Sequence, residues 1–503
     1  MFSNRFRWAS CQLEALRRCF PVNLRNILME LPQSLDETYM RILKEINNAN
    51  RKHAYRLLQC LVVAGRPLRV EELAQVLAVD FNAEGIPKSN ADWRWEDQEM
   101  AVLSTCSSLV AVVIENGSRV VQFSHISVKE FLTSDRLASS KEEVSQFHIS
   151  VEPSHATLAL ACLSVLLCLD DRSDEDSIKE IPLLRYASKY WYRHAAIGNV
   201  ELQIKDAMDR FFDMDRPHFS AWARIQDQFD LLTVSDSKSP RAVPLPAAPL
   251  YFAARMGFRG LPKRLILKYP RQVNCLGGQY GAPLHASVLG GHMEVARLLF
   301  AHGADINSCS TENWTPLHIA SREGHLEVGK WLLDLGADVN FQKDDGQTPL
   351  HFATSHGHFE VARLLLERKA DVNARDNVGS TPLLNASMNG NPDVVRLLLD
   401  HNADAHAHNK NGDSSLHLAA VYGHLEVARL LLERNAEVDS RNDLGSTPLL
   451  SAVANEKPDV VRLLLDNGTN IHSRNLNGRI TLKVPLGLEQ EEIGQLLFQD
   501  SAE

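Results

Sequence analysis

Twenty histidines and eight cysteines are the residues of this 503-residue chain best suited to chemistry. A histidine near neutrality can be acid, base or metal ligand, and a thiolate can attack or bind metal. The cysteines, at 11, 19, 60, 106, 162, 168, 275 and 309, form no Cys-x-x-Cys pair and have no histidines at metal spacing. They read as buried or incidental thiols in a reducing compartment. The histidines recur in two registers, one holding His285, His318, His351 and His417, the other the Gly-His turns at His292, His325, His358 and His424. Residues that recur at a fixed interval serve a fold. There is no Gly-x-Ser-x-Gly elbow and no His-Glu-x-x-His. A phosphate cradle needs a Gly-rich loop and a lysine, and Val328-Gly-Lys-Trp lacks the upstream glycine. The expectation is no enzyme: no catalytic residues, no metal and no cofactor.

The interval comes from Ala282-Pro-Leu-His, Thr315-Pro-Leu-His, Thr348-Pro-Leu-His, Thr381-Pro-Leu-Leu, Ser414-Ser-Leu-His, Thr447-Pro-Leu-Leu and Ile480-Thr-Leu-Lys, each 33 residues after the last. A fixed period of this length means stacked helix pairs. In one unit, Thr348 caps a helix whose first turn holds Pro349, where a missing N–H costs nothing. Leu350 and Ala353 face inward and Gly357 ends the helix. A second helix carries Val361, Leu364 and Leu365 on one stripe. Gly303, Gly336, Asn402, Asn435 and Gly468 stop the equivalent helices, because Gly and Asn tolerate left-handed geometry. Lys369 breaks that pattern, which predicts a strained or frayed turn.

Thr-Pro-Leu-His, Gly-His-Leu-Glu-Val and Gly-Ala-Asp-Val-Asn together resemble the ankyrin repeat. The resemblance implies that Thr315 with His318, and Thr348 with His351, knit loop to helix. Leu384 and Leu450 replace the histidine, so those repeats rely on packing. Ala248-Pro-Leu-Tyr-Phe-Ala-Ala reads as an earlier repeat. Pro485 interrupts the last, which keeps Ile493, Leu496 and Leu497. About eight repeats therefore span 248–500. Aligning 348–413 on 414–479 matches about 38 of 66 positions, against about 14 of 33 for 348–380 on 381–413, as expected from a duplicated two-repeat block.

Ankyrin domains bind through hairpin tips and the exposed side of each first helix. Carried over, the tips are Glu312, Trp314, Asp344, Asp345, Gln347, Asn377, Val378, Lys410, Asn411 and Asp413. The helix positions are Arg322, Glu323, Ser355, His356, Met388, Asn389, Val421 and Tyr422. Trp314, a large aromatic at a solvent-facing tip, is the leading anchor, set against packing on the neighbouring loop. The implied partner is a protein or peptide on the concave face.

The first half reads differently. Helices are expected at Phe6–Cys19, Pro21–Glu30 and Leu35–Ile46. Helices at 52–64, 69–77 and 95–105, then a hairpin around Glu115-Asn-Gly-Ser, make a winged helix over 51–135. Its third helix carries Glu96, Asp97 and Glu99 and no lysine, which repels phosphates. A helical connector over 136–232 includes Leu183–His194 and Val200–Phe212. Its aromatics Tyr186, Tyr190, Trp191 and Tyr192 read as packing. Residues 233–247 form a Ser/Pro-rich linker. The fold class is mainly α: winged-helix and helical domains before an ankyrin α-solenoid.

Phe6-Arg-Trp-Ala-Ser-Cys-Gln-Leu, Leu31-Pro-Gln-Ser-Leu-Asp-Glu-Thr-Tyr, Arg66-Pro-Leu-Arg-Val-Glu-Glu-Leu-Ala and Phe123-Ser-His-Ile-Ser-Val-Lys-Glu-Phe-Leu resemble fungal NACHT-ankyrin proteins. These are STAND-class, NLR-like signalling NTPases, and their winged helix is named after GPI inositol-deacylase, a label of fold and not of esterase chemistry. The resemblance makes 1–50 a helical remnant of the NACHT lid region. It implies a ligand-sensing tail whose nucleotide-binding core is absent, with an NTPase core in cis in a longer product. The chain is expected to be a truncated gene product or a natural receptor fragment.

The net charge of −10 opposes sequence-independent nucleic-acid binding. The longest apolar run, Thr157–Leu169, is short of the roughly 20 residues a membrane span needs. The N-terminus has no apolar signal core, so a cytoplasmic location is expected. The function expected is a non-catalytic interaction scaffold. The alternatives are an inert pseudogene product and a winged-helix DNA-binding regulator.

Overall fold

A computed structural model describes residues 34–81, 86–90, 97–141, 143–170, 173, 181–233, 248–278, 280–310, 312–473 and 475–476. They divide into two compact units: Met1–Ala242 with Phe258–Leu265, and Val243–Gly257 with Ile266–Glu503. The expected helices before residue 34, the linker from 234, and the last repeat from 477 lie outside the described residues.

In the first unit, helices Arg51–Val63, Val70–Leu77 and Gln98–Cys106 precede strands β4 (Val110–Glu115) and β5 (Ser118–Phe123). Strand β1 (Leu68–Arg69) joins them in a sheet of order β1-β5-β4. This is the winged helix read from the sequence. Its hairpin turns on Asn116 (φ 49°) and Gly117 (φ 74°), the left-handed pair that matches the twist of the flanking strands. Leu57, Leu58, Leu73, Val102 and Val121 fill the core. At the start of helix Val70–Leu77, buried Glu72 accepts the Arg69 N–H at 2.9 Å and pairs with Arg66 at 2.6 Å. A second small sheet of β2 (Val79–Asp80) and β3 (Lys88–Ser89) has two-residue strands, too short to leave an alternation in the sequence.

Helix Leu35–Glu45 starts at Ser34, whose hydroxyl accepts the Glu37 N–H. Tyr39 is buried, hydrogen-bonded to Ser127 at 2.8 Å and 5.5 Å from the Phe131 ring. The apolar run beginning at Thr157 lies mostly in the largely buried helix Val151–Leu166, which packs on helices Arg51–Val63 and Leu184–Ala195. Trp191 sits in an aromatic core with Phe211, Phe212, Trp222 and Phe258, at centroid distances of 5.4 to 6.4 Å. The single helix expected over Val200–Phe212 is two, Val200–Gln203 and Lys205–Phe211. Ile204 leaves helical geometry (ψ 16°) between them, and both it and Val200 are buried.

The second unit is built of helix pairs. Its first helices begin at Pro249, Pro283, Pro316, Pro349, Pro382, Ser415 and Pro448, and from Pro283 on a second helix follows each, from Met293–Ala301 to Pro458–Asp466. Thr315, Thr348, Thr381, Ser414 and Thr447 sit at the N-caps in extended geometry. Lys369 takes the left-handed conformation (φ 68°) that its neighbours reserve for Gly or Asn. Its turn is strained but not frayed: Lys369 N–H still reaches Leu366 O at 3.0 Å and Ala370 N–H reaches Leu365 O at 2.9 Å.

Candidate functional site

The hairpin tips are joined by main-chain atoms. Asn377 N–H donates to Asp345 O at 2.8 Å, Lys410 to Val378 O at 2.8 Å, Asp443 to Asn411 O at 2.9 Å and Leu476 to Leu444 O at 2.9 Å. Gly346 and Gly412 allow this approach. A Cβ on either would come within 2.9 Å of Asn377 N or 2.7 Å of Asp443 N. Side chains along the row stand in fixed register. Glu312, Asp344, Asp345, Asn377, Val378, Lys410 and Asn411 are exposed, while Gln347 and Asp413 are half-buried. The first helices add equivalent positions 33 residues apart: Ser355, Met388 and Val421, then His356, Asn389 and Tyr422. Val378 is 60 % exposed and Tyr422 51 %.

Trp314 does not project into solvent as expected. Its ring is half-buried, 4.6 Å from Phe352 and 6.3 Å from Tyr280. Lys343 Nζ lies 4.6 Å over the same ring, and Arg322 sits 5.7 Å from it while donating to Tyr280 Oη at 3.2 Å. A tryptophan face attracts cations, most strongly where water is excluded, and Lys343 is only 9 % exposed. Trp314 Nε1 donates to Glu312 at 3.3 Å, and Arg322 also pairs with Glu323 at 3.4 Å. Burial of Asp345 favours its neutral form. The Lys343 hydrogen bond at 2.8 Å and the Gln347 N–H outweigh that and hold its carboxyl below the usual range.

The histidines connect repeats. Thr315 N–H donates to His318 Nδ1 at 3.2 Å, so Nδ1 is the bare nitrogen and Nε2–H donates to Gln347 O at 3.2 Å. His285 reaches Trp314 O, His351 reaches Ser380 O and His417 reaches Ser446 O in the same way, at 2.9, 3.1 and 2.9 Å. In the other register His292, His325, His358 and His424 reach back to Arg255, Leu289, Arg322 and Met388 carbonyls. Burial pushes His285 and His318 down to about 4 and lowers His351 and His417. These side chains are occupied in holding the stack. Among the described residues no group of three or more His, Cys, Asp or Glu could hold a metal ion.

Five residues of this surface escaped the sequence reading: Tyr280, Lys343, Phe352, Leu444 and Leu476. Leu444 and Leu476 could have been found, since each is an apolar residue at a hairpin tip. Tyr280, Lys343 and Phe352 come from three different repeats and share no spacing.

Two family models match this architecture. Residues 250–343, 335–407 and 383–475 match the family described as Ankyrin repeats (3 copies). Residues 43–145 match the GPI inositol-deacylase, winged helix domain. The azaphilone pigments biosynthesis cluster protein L of Monascus ruber is 32 % identical over 293 residues, covering 55 % of this chain and 60 % of that protein. The chain thus spans less than two thirds of that relative's length. The crystal structure of the human ASB11 ankyrin repeat domain is 29 % identical, with 44 % of this chain and 97 % of that one covered and a TM-score of 0.41. The chain carries a winged-helix domain of the GPI inositol-deacylase type followed by ankyrin repeats, and the repeats make it a protein-interaction module.

Proposed function

We propose that this chain is a non-catalytic docking protein of the cytoplasm that holds a protein or peptide on its hairpin tips and first helices. The observation that carries the reading is the tip row. Main-chain bonds fix its spacing and leave Val378, Asn411 and Leu444 to face solvent, with Tyr422 exposed on a first helix. Rigid, regularly spaced side chains lower the cost of ordering on binding. The eight histidines of the two repeat registers are committed as ties between repeats, and buried Cys60, Cys106 and Cys162 belong to the core. No helix among the described residues is long and apolar enough to cross a membrane.

The finer reading is a ligand-sensing tail for an NLR-like NTPase core carried in cis by a longer product. The sequence motifs of the first half support it. A DNA-binding role for the winged helix is disfavoured by Glu99 on its third helix, which pairs with Arg119 of β5 at 2.7 Å.

Cross-linking capture with the full chain tests the proposal. Val378→Ser with Tyr422→Ser should abolish a specific protein partner while leaving the helical circular dichroism unchanged. A partner kept by the double variant would reject this surface. Turnover of nucleoside triphosphate or generic ester by the purified chain would reject the non-catalytic reading.

A further inference from the structure

Among the described residues the sheet order β1-β5-β4 leaves β4 at an edge. Its pairing with β5 shows which main-chain groups are already used. The hairpin closes on Glu115 and Ser118 around a two-residue loop, and Ser124 N–H reaches Leu109 O at 3.0 Å. Hydrogen-bonded and non-hydrogen-bonded pairs alternate along an antiparallel ladder. Leu109, Ala111, Val113 and Glu115 therefore bond toward β5. The N–H and C=O groups of Val110, Val112 and Ile114 point to the open side. Apolar side chains accompany them: Ile114 is 80 % exposed and Val113 37 %. Soluble proteins ordinarily guard such an edge with lysine, proline or a bulge. The strand reads Val-Ala-Val-Val-Ile-Glu and carries no charge before its last residue.

A row of outward N–H and C=O groups can be paired by an added strand. The sequence of β4 says which strand fits. Laid antiparallel on its own copy about Val112, it sets Val110 opposite Ile114, small Ala111 opposite Val113, and Glu115 opposite Leu109. No like charges meet. A parallel register would place Glu115 beside its twin. We infer that β4 is a self-association edge, where two copies of the chain pair β4 to β4 across a two-fold axis and join their sheets. This edge is distinct from the repeat surface, so the inference does not rest on that surface binding anything.

Sedimentation equilibrium of the full chain should show a concentration-dependent dimer. Ile114→Lys alters a side chain already in water, so the fold is kept. It should raise the dimer dissociation constant at least about tenfold by placing an ammonium in the apolar seam. Paired Cα atoms in a hydrogen-bonded antiparallel pair lie about 5.5 Å apart, within disulfide reach. Val112→Cys under mild oxidation should therefore give a digest in which the peptide bearing residue 112 is linked to its own copy. The parent chain, with exposed Cys168 and Cys275, supplies the control. A monomer at every concentration, or a dimer whose affinity survives Ile114→Lys, overturns the assignment.

Discussion

Acid should loosen the repeat stack by an amount set by its buried histidines. Burial holds His318 neutral, and Thr315 N–H already points at its Nδ1, so a second proton there would face a donor. Burial, with Lys343 adding to it, brings His318 down to about 4, and burial brings His285 to the same value. Both lie below the unfolded value, so the unfolded chain takes up the proton first. The stability they contribute is complete above pH ~6.5 and is lost as pH falls toward ~4. Between pH 7 and pH 5 each such histidine forfeits about 2 kcal/mol, or about 4 kcal/mol for the pair. His351 and His417 shift the same way and add to the loss.

Urea unfolding followed by circular dichroism at the two pH values measures it. The informative variant is His285→Leu with His318→Leu, because the chain itself places leucine at the equivalent 384 and 450, both buried. At pH 7 the variant should be less stable by about 1–3 kcal/mol per site, since Gln347 O and Thr315 N–H lose their partner. Its further loss on going to pH 5 should be about 4 kcal/mol smaller than the parent's. An identical acid-induced loss in parent and variant would refute the reasoning.

Lys369→Gly should stabilise the stack by about 1 kcal/mol, read from the same unfolding midpoint, because it relieves a side chain held at φ 68°. His406→Asn should add about 1 kcal/mol. Asn307, Asn340 and Asn373 each accept one N–H and donate to one carbonyl of the next repeat, and 406 is the following position in that series. Unchanged hydrogen exchange at Glu437 would count against this. Glu201→Ala should destabilise the first unit by about 3 kcal/mol, because the carboxylate accepts the N–H groups of Arg259, Gly260 and Leu261. Loss of less than about 0.5 kcal/mol would mean water replaces it.

What the sequence made legible was whatever repeats or turns locally. Six Pro- or Ser-led first helices, from Pro283 to Pro448, follow from the 33-residue register, and Asn116-Gly117 announces the hairpin without help from the rest of the chain. Contacts between different repeats were not legible. Trp314 read as an exposed anchor because its own neighbours are polar. The rings and ammonium that enclose it, Tyr280, Phe352 and Lys343, carry no periodic mark. Lys369 shows the opposite failure. Its local preference was read correctly, yet main-chain bonds to Leu366 O and Leu365 O, with Asn340 Nδ2 donating to Lys369 O from the preceding repeat, keep the turn closed. The candidate positions themselves were readable from register alone, as solvent-facing slots. Which of them grip a ligand depends on the ligand.

Because the tips are stitched by amide and carbonyl groups, outward side chains such as Val378 and Leu444 are released from structural duty. Recognition can then drift one residue at a time with little penalty in stability. A block such as 348–413 can be copied in whole, since both of its ends offer the same main-chain connectors. A lineage carrying this array could therefore diversify what it binds faster than it alters how it folds.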